Sequence, residues 1–481
     1  MCQEFQGTQG FRWLLFRTPD TLDTRDTLET FMKLLIIGAG YVGLTQAACL
    51  AHLGHDVFCV EIDADKVARL RSGEVPFFEP GLTELVEEGL LSGKLIFDTD
   101  LKRGFEDCAP EIIFVCVNTP LGDDGHADLT AVQAVCRDIG SLAQSDIVVV
   151  IKSTVPPGKT EEILSWINND RVTLASNPEF LREGKAVEDF LHPDRTLIGA
   201  EDEKTAVVLT KIYENIDAPT VCVSIATAQL AKYASNTMLA MRLSLMNEFA
   251  VIADLIGADI RDVEDIIGMD DRIGSKFLRA GAGFGGSCFP KDVLALARVA
   301  KDAGYDPLLI DPIISVNHAQ PIRFVEKMET ILGGLASKKI AVWGVTFNKD
   351  TDDVRESPAL TIITELVKRG ASISVFDPAG LQNAKGYLQD TVAYADDKHA
   401  ALEGADTLAV LTEWSEFADS DWSKVATKIK MPTVFDGKNF LPRVKLEGSG
   451  LTVHGMGLCT KDRRHPQLAF DSSSSDSSAA L

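Results

Sequence analysis

The stretch from about 33 to 61 constrains the fold more than any other part of the chain. An apolar run, Lys33–Ile37, leads directly into GAGYVG at 38–43. An apolar helix of about 42–53 and a second strand of about 56–61 follow. This succession of strand, glycine-rich turn, helix and strand predicts a βαβ unit that binds a dinucleotide at its first turn.

Each characteristic feature of such a unit has a counterpart here. Gly38 makes the tight turn, Gly40 lets a pyrophosphate approach the backbone, and Gly43 allows the helix to pack closely on the strand. Glu61 ends the second strand, where a carboxylate binds a ribose 2′-hydroxyl and favours NAD over NADP. Lys66 either reaches a cofactor phosphate or is a solvated charge on the next helix.

Further strands extend this first sheet. Ile112–Val117 and Ile147–Ile151 are continuous apolar runs, which is typical of buried parallel strands. Each ends in a polar cluster, at 118–120 and at 152–156. Ligands bind at the carboxyl ends of strands in such sheets, so the clusters are expected to line the cofactor cleft; otherwise they are ordinary loop residues.

A second alternation of strands and helices begins after about 336. Its predicted strands are Lys339–Val345, Ser372–Phe376, Thr407–Leu411 and Thr433–Phe435. The glycine fingerprint is not intact there, so this domain is expected to bind something other than a dinucleotide. With a long helical pattern over about 225–256, the sequence predicts an α/β protein of two Rossmann-like, doubly wound domains joined by a long central helix.

These patterns divide the chain into five predicted segments. The divisions are an N-terminal extension outside the fold (1–31, with Met32 as the natural start), a cofactor domain (32–224), a central helical and dimerisation domain (225–335), a C-terminal domain (336–462) and a disordered tail (463–481).

The composition of the chain limits the classes of partner that it can bind. The chain carries 47 basic and 71 acidic residues, a net charge of −24, which repels nucleic acids and anionic membranes. No apolar run reaches the roughly 18 residues that span a membrane. The nine cysteines include no C-x-x-C pair, and the eight histidines show no ligand spacing. We therefore expect a cytoplasmic protein with reduced thiols and no structural metal.

The stretch Gly281–Asp292, GAGFGGSCFPKD, is the strongest candidate for chemistry. It places Cys288 after a run of glycines and just ahead of a predicted helix with Pro290 in its first turn. The positive potential of a helix N-terminus lowers a thiol pKa towards the reactive range, which is the expectation for Cys288. The alternative is a buried, inert cysteine.

Two carboxylates follow a predicted strand at 172–175. Asn177 suits an N-cap and Pro178 a first helical residue, which would place Glu179 and Glu183 one turn apart on one helix face. Such a pair performs acid–base chemistry or simply complements the helix dipole.

Basic and polar residues of the central segment complete the candidates. Lys232 and Asn236 share one face of the long helix at i, i+4. Arg272, Lys276 and Arg279 precede the cysteine loop and are the candidate anion-binding patch of this acidic chain.

Four motifs in this order, NPEFLREG, LAKYASNT, MDDRIG and GFGGSCFPKD, together with the cofactor fingerprint, carry a family resemblance. The chain resembles the UDP-glucose 6-dehydrogenases of the UDP-glucose/GDP-mannose dehydrogenase family over about 33–460. The resemblance implies oxidation of the C6 alcohol of UDP-glucose to the carboxylate of UDP-glucuronate, for polysaccharide biosynthesis, with two NAD⁺ reduced in turn. It also implies a thiohemiacetal and then a thioester on Cys288, which water hydrolyses.

The resemblance further implies roles for individual residues. Lys232 and Asn236 would stabilise the oxyanion, with the lysine also transferring protons, and Asp292 would orient water or the lysine. Glu179 and Thr154 would assist water activation. Positions implied to contact NAD are Gly38, Gly40, Val42, Gly43, Glu61, Lys66, Thr119, Thr154, Glu183, Lys291 and Arg355. Positions implied to bind the sugar nucleotide are Glu179, Phe180, Leu181, Arg182, Glu183, Lys232, Asn236, Arg272, Phe277, Arg279, Phe284, Gly285 and Asn348.

Arg272 resembles an arginine that reaches the site from a neighbouring subunit, so the resemblance implies a homodimer or a larger homo-oligomer. Three positions depart from the family pattern: Asn348 and Lys438 stand where lysine and arginine are usual, and Leu121 stands where threonine is common. The first two departures leave open a related substrate, GDP-mannose or UDP-N-acetylmannosamine. The residues also leave open a non-catalytic nucleotide-sugar-binding protein and a two-electron alcohol dehydrogenase.

Overall fold

A computed structural model describes residues 31–122 and 125–459 of the chain. The predicted extension, apart from Phe31, and the predicted tail lie outside the described residues. The chain divides at 238/239, 287/288 and 311/312 into two compact units, so that each unit combines two separate stretches of sequence.

The first unit contains an eight-stranded sheet in the order β3-β2-β1-β4-β5-β6-β7-β8. Neighbouring strands are parallel except β6 and β7, which pair antiparallel at Ser176 and Gly199. Its strands are β1 Lys33–Ile37, β2 Asp56–Val60, β3 Leu95–Asp98, β4 Ile112–Val115, β5 Ile147–Ile151, β6 Val172–Ser176, β7 Thr196–Gly199 and β8 Thr220–Val223.

Both faces of this sheet are covered, which is why its central strands are apolar throughout. Leu34 and Ile36 belong to one buried cluster, whereas Leu35 and Ile37 belong to another on the opposite face. Successive side chains of a strand point to opposite faces, so a strand with helices on both sides loses the usual alternation of apolar and polar residues.

Helices connect these strands. They are α1 Tyr41–His52, α2 Ala64–Arg71, α3 Leu82–Ser92, α4 Leu101–Arg103, α5 Thr130–Leu142, α6 Thr160–Ile167, α7 Ala186–Leu191 and α8 Glu203–Ile212, with a π-helical turn at Gly104–Cys108 after α4. Aspartates at N-cap positions start several of them: Asp63 accepts hydrogen bonds from the first turn of α2, and Asp202 from that of α8.

A helical region follows the first sheet in sequence. Its helices are α9 Ile225–Ile256, α10 Ile260–Gly268, α11 Phe289–Asp302 and α12 Ile310–Leu332. The helix α9 has 32 residues and coincides with the long helical pattern of the sequence.

The second unit contains a six-stranded parallel sheet in the order β11-β10-β9-β12-β13-β14. Its strands are β9 Lys339–Trp343, β10 Ser372–Phe376, β11 Ala393–Tyr394, β12 Thr407–Val410, β13 Thr433–Asp436 and β14 Thr452–Gly455. Its helices are α13 Pro358–Lys368, α14 Leu381–Leu388, α15 Lys398–Ala401, α16 Ser415–Ala418, α17 Trp422–Lys428 and α18 Arg443–Gly448, with a 3₁₀ turn at Gln389–Thr391.

Both sheets thus contain the strand order 3-2-1-4-5-6 of a Rossmann fold, and the predicted fold class is confirmed. The sequence misplaced several strand ends: β4 ends at Val115, two residues earlier than predicted, and β9 ends at Trp343. Within the described ranges, no helix is both long and apolar enough to cross a membrane.

Candidate active site

The glycine-rich turn after β1 has the geometry that a bound pyrophosphate requires. Gly38 has a φ of +99°, and a Cβ on Gly43 would lie 1.8 Å from the Gly38 carbonyl oxygen, so helix and turn touch. A Cβ on Gly40 would meet nothing closer than 4.0 Å. Gly40 is also the N-cap of α1 and provides no side-chain cap, which leaves the first-turn N–H groups available to an anion.

Glu61 follows β2 and faces the same turn. Its Oε2 accepts hydrogen bonds from the Ala39 N–H at 3.1 Å and from Lys66 Nζ at 3.0 Å. Burial alone would raise the pKa of Glu61, but the hydrogen bond and charge of Lys66 lower it below its ordinary value. Lys66 therefore lies beside the ribose-binding carboxylate of the predicted site.

The polar clusters after β4 and β5 meet, as their position in the sheet predicts. Thr119 donates its hydroxyl to the Thr154 carbonyl at 3.1 Å, and the Tyr233 hydroxyl of α9 donates to the same oxygen at 3.4 Å. Thr119 is buried and Thr154 is half-buried at the carboxyl edge of the strands.

A buried ion pair lies in the first unit. Lys232 Nζ is 2.8 Å from Glu179 Oε1, and both side chains are 5% exposed. Burial alone would raise the pKa of Glu179 and lower that of Lys232. The charges outweigh burial, because Lys232 lowers the pKa of Glu179, while Glu179, Cys288 and Asp292 raise that of Lys232. Both groups are therefore ionised at neutral pH.

The predicted helix that begins at Pro178 is wrong. The segment after β6 is an irregular loop, and helix α7 begins only at Ala186. Glu179 Oε2 accepts the Leu181 N–H at 2.6 Å, which folds the loop back on itself. Gly184 has a φ of +86°, which no helix interior allows, and Glu79 accepts the N–H groups of Gly184 and Ala186. Glu179 and Glu183 are therefore not one helical turn apart.

A second polar pair joins α9 to α11. Asn236, one turn after Lys232, donates to Asp292 Oδ2 at 2.6 Å, and Lys291 Nζ lies 2.5 Å from Asp292 Oδ1. Asp292 is fully buried. Two faces predicted separately, the i, i+4 face of α9 and the first turn of α11, thus meet in one cluster.

Cys288 is the N-cap residue of α11, and Pro290 lies in the first turn as predicted. The predicted lowering of its pKa is wrong for the protein without ligands. Burial raises the pKa of the Cys288 thiol to about 11, with Glu179 and Asp292 acting in the same direction, and Lys232 and Lys291 only partly offset this. The positive potential of the helix N-terminus is too weak to offset the rise in this pKa that burial and the two carboxylates cause.

The other predicted residues of the loop after β6 have partners of their own. The Phe180 ring contacts two cations, the Arg195 guanidinium at 3.9 Å and Lys232 Nζ at 5.4 Å from its centroid. Arg182 pairs with Asp189 of α7 at 2.5 Å. Leu181 and Glu183 are half-buried in the same loop.

The predicted substrate residues of the second unit are described by themselves. The Phe284 N–H donates to Asn317 Oδ1 at 2.8 Å, and a Cβ on Gly285 would lie 2.1 Å from the Glu356 carbonyl oxygen. Phe277 has a φ of +58°, and Arg279 is exposed.

Three further cations of this unit, Arg272, Arg355 and Lys438, have acidic or carbonyl partners. Arg272 pairs with Asp270 at 2.7 Å and its side chain is 89% exposed, whereas Arg355 pairs with Asp353 at 2.7 Å. Lys438 donates to the Phe347 carbonyl at 2.8 Å, next to the half-buried Asn348.

Sequence reasoning missed residues that hold the candidate site in place. Glu79 anchors the loop that carries Glu179, and Asn317 holds the backbone of Phe284 at both its N–H and its carbonyl. Neither lies in a recognisable motif, because the contacts join residues far apart in the chain. Among the described residues, no group of three or more His, Cys, Asp or Glu side chains could hold a metal ion.

Fold and site together define a Rossmann-type oxidoreductase with a cysteine beside a buried lysine–carboxylate pair. Three models of the UDP-glucose/GDP-mannose dehydrogenase family match the chain: the NAD binding domain at 32–217, the central domain at 226–319 and the UDP binding domain at 341–443. The chain belongs to this family and has its NAD-binding domain.

The chain aligns with individual relatives over most of their length. The chain is 41% identical to a UDP-glucose 6-dehydrogenase of Rhizobium meliloti over 89% of this chain and 99% of that protein. It is 39% identical to the UDP-glucose 6-dehydrogenase TuaD of Bacillus subtilis, over 88% and 93%. A UDP-glucose dehydrogenase structure from Pyrobaculum islandicum matches with a TM-score of 0.83 and 36% identity, covering 90% and 99%.

Proposed function

We propose that this protein oxidises UDP-glucose to UDP-glucuronate with two NAD⁺, through covalent intermediates on Cys288. The observation that carries the proposal is the cluster of Cys288, the Glu179–Lys232 pair and the Asn236–Asp292 pair in one unit. A two-electron alcohol dehydrogenase does not need the cysteine. A protein that only binds the nucleotide sugar does not need a buried lysine whose charge acts on that cysteine.

The first unit fits NAD. The turn at Gly38 and Gly40 and the uncapped N-terminus of α1 would hold the pyrophosphate, and Glu61 would accept the ribose hydroxyls. The other proposed cofactor contacts are Val42, Lys66, Thr119, Thr154, Glu183, Lys291 and Arg355. Bound there, NAD⁺ supplies the hydride acceptor for each of the two oxidations.

The residues of the cluster would manage protons and the covalent bond. Lys232 is charged in the resting protein, so it must first release its proton; it would then take the proton of the C6 hydroxyl as the alcohol becomes an aldehyde. The Cys288 thiol would then add to the aldehyde: its sulfur forms a C–S bond to the carbonyl carbon, its proton passes to the carbonyl oxygen, and Lys232 and Asn236 stabilise the negative charge that develops on that oxygen. Loss of the second hydride together with the hydroxyl proton turns this thiohemiacetal into a thioester.

Hydrolysis completes the reaction. Water, assisted by Glu179 and Thr154 and oriented by Asp292, would attack the thioester carbonyl; the C–S bond breaks and Cys288 is restored as the thiol. One alcohol, two NAD⁺ and one water thus yield one carboxylate, two NADH and three protons. The cost of burying Glu179 and Lys232 is offset by their ion pair, which keeps both charges available in a dry site.

The second unit would bind the nucleotide sugar. Its family model is the UDP binding domain of a family that includes both UDP-glucose and GDP-mannose dehydrogenases, and the relatives named UDP-glucose 6-dehydrogenase support a uridine nucleotide. The proposed nucleotide-sugar contacts are Glu179, Phe180, Leu181, Arg182, Glu183, Lys232, Asn236, Arg272, Phe277, Arg279, Phe284, Gly285 and Asn348. The proposed domains remain 32–224 for NAD, 225–335 for the central domain and 336–462 for the UDP-sugar.

The proposal includes a homodimer or higher homo-oligomer in the cytoplasm. On α9, Leu245, Phe249, Ile252 and Ile256 recur at helical spacing and are 38–73% exposed, an apolar stripe that a second copy would cover. No disulfide joins the eight cysteines of the described residues, and Cys288 must remain reduced to react, which supports a reducing compartment.

The test is NADH stoichiometry. Purified protein with limiting UDP-glucose and excess NAD⁺ is expected to form two NADH per sugar, read as absorbance of the reduced cofactor. One NADH per sugar would support a two-electron dehydrogenase. No NADH would contradict the substrate assignment, and GDP-mannose and UDP-N-acetylmannosamine would then be compared in the same assay.

A matched variant tests the role of the thiol. Cys288→Ser keeps the size of the side chain and replaces the thiol by a far weaker nucleophile. We expect kcat to fall by about a thousandfold or more while NAD⁺ still binds with its wild-type Kd. An unchanged steady-state rate would contradict the covalent mechanism.

A further inference from the structure

A second buried lysine lies at the start of the loop that carries Glu179. Lys152 follows β5 directly, is 5% exposed, and donates through Nζ to Asn177 Oδ1 at 3.0 Å. Asn177 follows β6, the neighbouring strand, and its own backbone N–H donates to the Ile151 carbonyl at 3.0 Å. The parallel register of β5 and β6 therefore places the two side chains together.

Asn177 connects this lysine to the loop of Glu179, which begins two residues later. Its Oδ1 also accepts the Tyr213 hydroxyl at 2.6 Å, and its Nδ2 donates to the Leu197 carbonyl at 2.8 Å. Tyr213 in turn accepts a hydrogen bond from Gln46 of α1 at 3.2 Å. All four side chains of this network, Lys152, Asn177, Tyr213 and Gln46, are buried.

The hydrogen-bond acceptor of Lys152 is a neutral amide, and within the described part of the chain no carboxylate lies within ion-pair distance of its Nζ. An ammonium in such a place is costly, so burial lowers the pKa of Lys152 to about 8. The charged groups that act on it are the Glu179 carboxylate and the Lys232 ammonium of α9, and the thiols of Cys116 after β4 and Cys49 of α1 are the other titratable groups near it. Its charge in turn lowers the pKa of Glu179.

We propose that Lys152 is a positioning residue: its ammonium, held by Asn177, is the second cation that keeps Glu179 ionised while Lys232 gives or takes a proton. The inference rests on the proposed function, because Lys232 is transiently neutral in the proposed mechanism. At that moment, among the residues that the structure describes, Glu179 would otherwise be a buried carboxylate with the Leu181 N–H as its one remaining hydrogen-bond donor. Hydrolysis of the thioester, the step that uses Glu179, is then the step most sensitive to Lys152.

Three variants separate the charge of Lys152 from its hydrogen bond. Lys152→Met removes both and keeps an unbranched apolar chain in a buried place, which favours folding. Lys152→Gln removes the charge and retains an amide donor for Asn177. Tyr213→Phe is the matched control, because it removes the other donor to Asn177 Oδ1 and leaves the charge of Lys152 in place.

The experiment is stopped-flow NADH absorbance with UDP-glucose and NAD⁺ over a pH series, with intact-mass analysis of the quenched protein. For both Lys152 variants we expect a burst of two NADH per site, a steady-state rate reduced about tenfold, and a UDP-sugar adduct on Cys288. The acidic limb of the kcat profile should move upward by on the order of one pH unit, because the pKa of Glu179 rises. Tyr213→Phe should keep the wild-type limb and show no accumulated adduct.

Several results would overturn the inference. They are a wild-type acidic limb in both Lys152 variants, an equal shift in Tyr213→Phe, a change in KM alone, or failure of both Lys152 variants to fold. The wild-type protein in the same assay keeps the two proposals apart. If it forms no NADH, the proposed function fails, whereas normal wild-type turnover with unshifted variants rejects only the role of Lys152.

Discussion

The Cys288 thiol lies in the field of two carboxylates and two ammonium groups, and its resting state follows from their balance. Because burial and the carboxylates of Glu179 and Asp292 raise its pKa to about 11, the thiol is protonated in the ligand-free protein at neutral pH. A ligand that brings positive charge or draws Glu179 and Asp292 away would lower this pKa. Reactivity at this site is therefore expected to depend on ligand binding.

This balance predicts how the thiol is alkylated. In ligand-free protein, the rate of Cys288 modification by iodoacetamide should rise about tenfold per pH unit up to about pH 11, without a plateau near pH 8.5. Peptide mass spectrometry at Cys288 provides the measurement, and Cys288→Ser identifies the signal. A plateau below about pH 8 would show that the helix terminus dominates after all.

The carboxylate after β2 permits a second prediction at a single position. Glu61→Ala removes the acceptor for the ribose hydroxyls and leaves Lys66 without its partner, so the KM for NAD⁺ should rise by about 10- to 100-fold, equivalent to about 1.5–3 kcal/mol. Glu74→Ala removes an exposed glutamate that pairs with Arg69 and should leave this KM unchanged. Equal values for Glu61→Ala and wild type would reject the assignment.

At the scale of elements, the packing of α1 on the turn after β1 is what makes the cofactor site possible. The helix approaches so closely that a Cβ at Gly43 would lie 1.8 Å from the Gly38 carbonyl oxygen. Because that oxygen belongs to the backbone, the clash could be relieved only if the backbone moved. The same closeness brings the N–H groups of the first turn to the strand edge where a pyrophosphate would lie.

A pair of glycine substitutions measures this packing. Gly43→Ala should lower the free energy of unfolding by about 1–3 kcal/mol and weaken NAD⁺ binding, because α1 must shift. Gly386, also inside a helix, has open space around its missing Cβ, so Gly386→Ala should raise stability by about 0.5–1 kcal/mol. Denaturant unfolding measures both, and equal effects would contradict the packing argument.

The loop after β6 shows where prediction of an element fails. Asn177 and Pro178 have the residue types of a helix start, and short-range preference favours one. The structure instead uses Asn177 to hold Lys152, Tyr213 and the Leu197 carbonyl, and Glu79 to hold the end of the loop. Partners from distant parts of the chain thus outweigh a local preference of roughly a few tenths of a kcal/mol per residue.

At the scale of the whole molecule, the acidic surface and the apolar stripe on α9 have opposite consequences. A net charge of −24 makes copies of the chain repel one another, whereas the proposed association would cover the exposed apolar side chains of Leu245, Phe249, Ile252 and Ile256. Apolar burial and screening by salt both favour assembly, so the proposed dimer should be tighter at higher ionic strength.

Assembly can be tested on that stripe. Phe249→Glu combined with Ile252→Glu places two charges in the proposed interface and should convert the oligomer to monomers in size-exclusion chromatography with light scattering. Val444→Glu, on an 84% exposed valine of α18, is the control and should leave the mass unchanged. A double variant with the wild-type mass would place the interface elsewhere, and a monomeric wild-type protein would reject the oligomer.

The sequence alone determined the features that depend on local spacing. The fingerprint from Gly38 to Glu61, the extent of α9 and the start of α11 at Cys288 follow from periodicity and turn chemistry, which act over a few residues. Only the tertiary structure decided which charges surround the thiol, where the loop of Glu179 bends, and that Lys152 contacts Asn177 at the start of that loop. These depend on groups brought together from several strands and helices, and both desolvation and Coulomb energy are set by such neighbours in space rather than along the chain.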